Sequence, residues 1–274
     1  MTPRIKRAFL DTGHGQLLYR TAGRAESGEA LLLLHMSPRS SDEFLELIPL
    51  LATNRQVIAM DMMGFGDSDT PPDAYAMADY AADAIALLDA LNLPTVSILG
   101  HTFGAFVAGE IAAAYPKRVN HLILCNILGL DTTATANVNK KYATGFVLQA
   151  DGSHLLERWN ARLEYIGSPG LNHRWVLDDL KAFGRTAYAA RAATTYWPNS
   201  AARFQQINSA TLLLWGLDEV NQFERQGLAK AENRFWVTQA IANHQVIELD
   251  HGTICMMNQI PHEIAQIVEQ FLAP

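Results

Sequence analysis

Along most of the chain, short apolar runs alternate with amphipathic stretches. Ala30-Leu31-Leu32-Leu33-Leu34, Val57-Ile58-Ala59-Met60, Val96-Ser97-Ile98-Leu99, His121-Leu122-Ile123-Leu124-Cys125 and Thr211-Leu212-Leu213-Leu214-Trp215 are largely apolar on both faces. Buried parallel strands need that pattern. Residues 7–21, around the turn Thr12-Gly13-His14-Gly15, predict a β-hairpin, and 245–249 a last strand. Between the runs, Phe44, Leu45, Leu47, Ile48 and Leu51 give residues 41–51 one apolar stripe. Ala81, Ile85, Leu88 and Leu91 do the same for 77–91. Further helices are expected over 103–115, stopped by Pro116, around 224–240, and over 261–272. The alternation predicts an α/β fold: a mostly parallel eight-stranded sheet flanked by helices.

The pattern lapses between about 130 and 204, where the text is helical and aromatic: Tyr142, Phe146, Trp159, Tyr165, Trp175, Phe183, Tyr188, Tyr196, Trp197. Most of these rings should form the segment's own core, while some line an apolar pocket. Within it, Asp151-Gly152-Ser153-His154 reads as a turn with Ser153 capping the next helix.

With 274 residues, 49% of them hydrophobic, the chain can bury one sizeable core. Its 28 acidic and 21 basic residues form no basic cluster, which argues against nucleic acid and anionic membranes and for a small-molecule substrate. Cys125 and Cys255 show no paired spacing, and no leader pattern follows Met1, so a cytoplasmic protein is expected. With no dinucleotide fingerprint, phosphate loop or zinc motif, neither an organic cofactor nor a metal is expected. A homo-oligomer remains open.

The most informative stretch is Gly100-His101-Thr102-Phe103-Gly104, wedged between an apolar strand and a small-residue helix. It resembles the nucleophile elbow G-x-S-x-G of the α/β-hydrolase family, with Thr102 where serine is usual. Asp61-Met62-Met63-Gly64-Phe65-Gly66-Asp67-Ser68 is similar to the family's turn after the fourth strand, and Trp215-Gly216-Leu217-Asp218-Glu219 to its turn after the seventh. The resemblance implies the α/β-hydrolase fold, with a core over 1–130 and 206–274 and a helical cap over 131–205.

A β-branched residue at a positive-φ tip needs a reason. Thr102 could be a native nucleophile, mark a fold whose hydrolytic serine is lost, or be an engineered exchange that traps substrate. In the first case the resemblance implies that Thr102 attacks and His251 moves the proton. Glu219, or Asp218 with a one-residue change of loop, would orient the imidazole. The amides of Met36 and Phe103 would form the oxyanion hole, and His35, Trp159 and Trp197 would border the pocket. A hydrolase of a small, largely apolar ester, lactone or related carbonyl compound follows. A non-hydrolytic or ligand-binding protein, or a substituted serine hydrolase including a carbon-carbon bond hydrolase, is the alternative.

Overall fold

A computed structural model describes residues 3–24, 29–142, 147–182 and 185–273. Phe146 and Phe183 lie outside the described residues. The hairpin is β1 (Lys6–Thr12) and β2 (Gly15–Ala22), and β3 (Leu31–Leu34) follows. Residues 41–51 are not one helix: a 3₁₀ turn covers Ser41–Phe44 and α1 covers Ile48–Leu51. Pro49 has no N–H to extend an α ladder back to residue 45, so the segment breaks ahead of it. β4 (Val57–Met60), α2 (Met77–Ala90), β5 (Val96–His101), α3 (Phe103–Ala114) and β6 (Val119–Cys125) continue the alternation.

Four helices then intervene: α4 (Thr132–Tyr142), α5 (Ser153–Asn160), α6 (Pro169–Lys181) and α7 (Thr186–Phe204). Ser153 is the first residue of α5 rather than its cap. Gly152, at φ 75°, takes the cap position, and Asp151 accepts the Ser153 N–H. β7 (Ala210–Gly216) is followed directly by α8 (Leu217–Arg225), earlier than expected. Gly227, at φ 64°, turns the chain behind α8, so 224–240 is not one helix and within that range only α9 (Trp236–Ala240) is α-helical beyond the turn. β8 (His244–Leu249), α10 (Met256–Gln259) and α11 (Pro261–Phe271) close the chain.

The sheet order is β1-β2-β4-β3-β5-β6-β7-β8; β1, β2 and β4 pair antiparallel and every later pairing is parallel. Side-chain alternation splits the core in two. Leu32, Leu34 and Ile98 pack toward α2 and α3, while Leu31, Leu33 and Leu99 pack with α1 and α11. The segment between β6 and β7 is tied to the core by Arg39. Its buried guanidinium lies 4.2 Å from the Trp175 ring centre and 2.7 Å from Asp178.

The elbow depends on two backbone contacts. A Cβ on Gly104 would lie 2.1 Å from the Leu34 carbonyl oxygen, and one on Gly100 would lie 2.2 Å from the Gly104 oxygen. Only glycine lets α3 start this close to β3 and β5. Gly104→Ala should therefore destabilise the protein by about 3 kcal/mol or more in urea unfolding. Gly170→Ala, where a new Cβ meets nothing within 4 Å, should stay within about 1 kcal/mol of wild type.

Candidate active site

Thr102 sits between the end of β5 and the first turn of α3 at φ 45° and ψ −104°. A β-branched residue is costly there. Its N–H donates to the Cys125 carbonyl at 2.9 Å and its carbonyl accepts from Ala105 at 3.0 Å, so both neighbouring elements hold the conformation. Phe103 opens α3, and its N–H consequently lacks an intrahelical acceptor. Its ring is fixed edge-on against Tyr80.

Beside the tip is a cavity of about 150 Å³. Met36, Ser37, Thr102, Phe103 and Asn126 border one side; Leu128, Leu130, Phe223, Leu228 and the alanines of α7 make up much of the rest. An apolar cavity of this size holds a molecule about as large as benzene. The three residues expected to border the pocket do not line it. His35 is buried, its Nδ1 donating to the Met36 carbonyl at 2.7 Å and its Nε2 accepting the Met62 N–H at 3.0 Å. Burial lowers its pKa, which suits this neutral tautomer. Trp197, partly buried, packs against Phe106 and Trp236 at the edge of the core, and the Trp159 carbonyl accepts from Asn172.

The expected acid and base are not paired. His251 has a side chain 54% exposed, and its Nε2 lies 2.9 Å from Glu263 on α11. The physical cause is next to it: Gly252, at φ 110°, brings its Cα to 3.0 Å from an ideal Cβ on Gly216, and its carbonyl accepts the Glu219 N–H at 3.0 Å. The loop after β8 is thereby pressed onto the end of β7 and His251 turns outward. Asp218 is exposed in the first turn of α8, where a negative charge suits the helix dipole. Glu219 is fully buried and points to a different histidine.

That histidine is His101. Its Nδ1 is hydrogen-bonded to Glu43 Oε1 and its Nε2 lies 3.2 Å from Glu219 Oε2, all three side chains being fully buried. Ionised carboxylates only accept, so between two of them the ring is a doubly protonated donor, with Asn126 Nδ2 also 3.4 Å from Nε2. Burial works against that charge, but Glu43 and Glu219 outweigh it and push the pKa up to about 10. Asn126, at φ 49°, joins them: its Nδ2 donates to Glu219 Oε2 and its Oδ1 accepts the Gly216 N–H at 2.8 Å. Glu43 Oε2 accepts the Met36 N–H at 2.9 Å. One of the two amides expected in the oxyanion hole is therefore committed to a carboxylate of the chain itself.

The sequence reading passed over Glu43, His101 and Asn126. Their signal was topological: His101 ends β5 and Asn126 follows β6, at the carboxyl edge of a parallel sheet where α/β folds place their sites. The two cysteines add no nucleophile, since burial pushes Cys125 well up and Cys255 up to about 12.

Comparison with known proteins agrees with this architecture. The family described as alpha/beta hydrolase fold matches residues 29–236, and the chain belongs to that family. It is 33% identical over 201 residues to an uncharacterized protein of Mycobacterium tuberculosis, covering 65% of this chain and 57% of that one. To a 2-hydroxymuconate semialdehyde hydrolase of Pseudomonas sp. (strain CF600) it is 37% identical over 94 residues, 34% of this chain and 33% of that one. The chain thus spans little more than half the length of the first curated relatives it matches. Among solved structures, a hydrolase from Pseudomonas aeruginosa PA01 superimposes with a TM-score of 0.81 at 24% identity, covering 98% of this chain and 99% of that one.

The raised His101 pKa has a definite sign. Above the ordinary histidine value near 6.5 the unfolded chain releases its proton while the folded chain keeps it until about pH 10. The stabilisation is complete below that lower value and is lost as pH rises through the folded value. Urea unfolding followed from pH 7 to 9.5 should show stability falling by about 1.4 kcal/mol per pH unit from this group, and His101→Gln should lose that component of the slope.

Proposed function

We propose that this chain binds a small, largely apolar molecule carrying one hydrogen-bonding oxygen in the cavity beside Thr102, and forms no acyl-enzyme through a Thr102, His251 and acid relay. One observation carries the reading: Glu219 is paired with the buried His101, while His251 is paired with Glu263. A hydroxyl becomes a good nucleophile only when a base takes its proton. Among the described residues, no side chain accepts a hydrogen bond from the Thr102 hydroxyl. The hydroxyl and the Phe103 N–H would hold a carbonyl or hydroxyl oxygen of the ligand, with the largely apolar lining around its body.

A second reading is favoured by the strained tip itself, because such backbone persists where function requires it. In it the chain hydrolyses a small ester, lactone or related carbonyl compound, a carbon-carbon bond hydrolase included. Thr102 would attack, and His251 would leave Glu263 to serve Thr102. The partial similarity to a semialdehyde hydrolase supports this reading.

Two measurements separate the readings. Acetophenone should bind in calorimetry, and Thr102→Val should weaken it roughly 2- to 10-fold through the lost hydrogen bond. Phenyl acetate turnover should stay at background in wild type, Thr102→Ala and His251→Ala. Turnover by wild type that both substitutions abolish would establish the relay and reject the binding reading.

A further inference from the structure

Helix α7 has cavities on two sides. Ala189, Ala190 and Ala193 face the elbow cavity, whereas Tyr188, Arg191, Ala192, Thr195, Tyr196 and Asn199 line a second, larger one of about 500 Å³ against the start of α2. The spacing explains this: residues three and four apart share a face of a helix, and the run of alanines keeps α7 thin on both. The second cavity is within the size range of small-molecule sites. Rings and small apolar groups, chiefly Tyr75, Met77, Tyr188 and Tyr196, make up much of its wall.

Its charges are unequally committed. Glu110, deep in the cavity wall, accepts from Arg203 at 2.7 and 3.0 Å and from the Tyr196 hydroxyl at 2.7 Å. The nearby acids are also engaged. Asp83 accepts from Tyr75 and lies 3.1 Å from His14, and Asp79 caps the Ala76 N–H at 2.7 Å. Arg191 differs from these. Among the described residues no carboxylate comes within salt-bridge distance of it. Its guanidinium carbon lies 5.2 Å from the centre of the Tyr188 ring, and its Nε–H makes a 3.4 Å bond to Ala187 in its own helix. A planar cation is thus held against an aromatic wall with, among the described residues, no partner on its two Nη groups.

We propose that this second cavity binds an aromatic or alkyl carboxylate, the carboxylate paired with Arg191 and the apolar body lying against Tyr75, Met77 and Tyr196. Arginine's fork matches a carboxylate's two oxygens, and with Arg203 cancelled by Glu110 the lining carries one net positive charge. The site is separate from the elbow cavity and does not depend on what Thr102 does.

The test is calorimetric titration of the whole chain with 2-naphthoate and with its neutral analogue 2-naphthalenemethanol. Naphthoate should bind one to one, at least about 10-fold more tightly than the alcohol, and more weakly as salt is raised. Arg191→Gln, at an exposed position, should remove that preference without altering alcohol binding. Thr195→Trp, also exposed, should block both ligands, whereas Ala193→Trp on the elbow side should leave naphthoate binding intact. Absence of naphthoate binding, equal affinity for acid and alcohol, or naphthoate affinity unchanged in Arg191→Gln would each overturn the proposal.

Discussion

A buried imidazolium held between two buried carboxylates is the interaction on which the candidate site depends. Glu43 comes from the 3₁₀ turn after β3, His101 from the end of β5 and Glu219 from the first turn of α8. None of the three could be charged alone in a dry core, where an isolated ion costs several kcal/mol. Together they lock three separated parts of the chain under the elbow. Removal of one member would leave the others uncompensated, so the cluster constrains local geometry more than it adds net stability.

The cluster also decides what the neighbouring groups can do. Glu43 engages the Met36 amide, and Glu219 holds Asn126, whose Oδ1 in turn receives the Gly216 amide. The Met36 amide, expected to face a reacting carbonyl, is turned instead toward Glu43. Thr102, Phe103, Ser37 and Asn126 border the cavity beside a largely apolar wall.

Much of the fold was legible because strands apolar on both faces, such as 31–34 and 57–60, permit few alternatives to a parallel sheet. Glycines 100 and 104 marked the elbow because close backbone approach excludes a Cβ. Helix limits were harder. Pro49 and Gly227 each broke an expected helix. The site was least legible where side chains had to choose partners. His251 stands in sequence where a base is expected, but the contact of Gly252 with the end of β7 sends it outward, and that contact joins loops that no local pattern relates. His101 was the reverse case: a histidine beside the tip residue, whose importance appears only when Glu43, 58 residues away, and Glu219, 118 residues away, close on it.

The protonation state of His101 tests this account most directly. In protein with ¹⁵N-labelled histidine, the ring nitrogens of His101, assigned by their absence in His101→Gln, can be followed through pH 8.5. Both should carry protons there, since the two carboxylates push its pKa to about 10. A neutral ring with one unprotonated nitrogen at that pH would contradict the charge cluster.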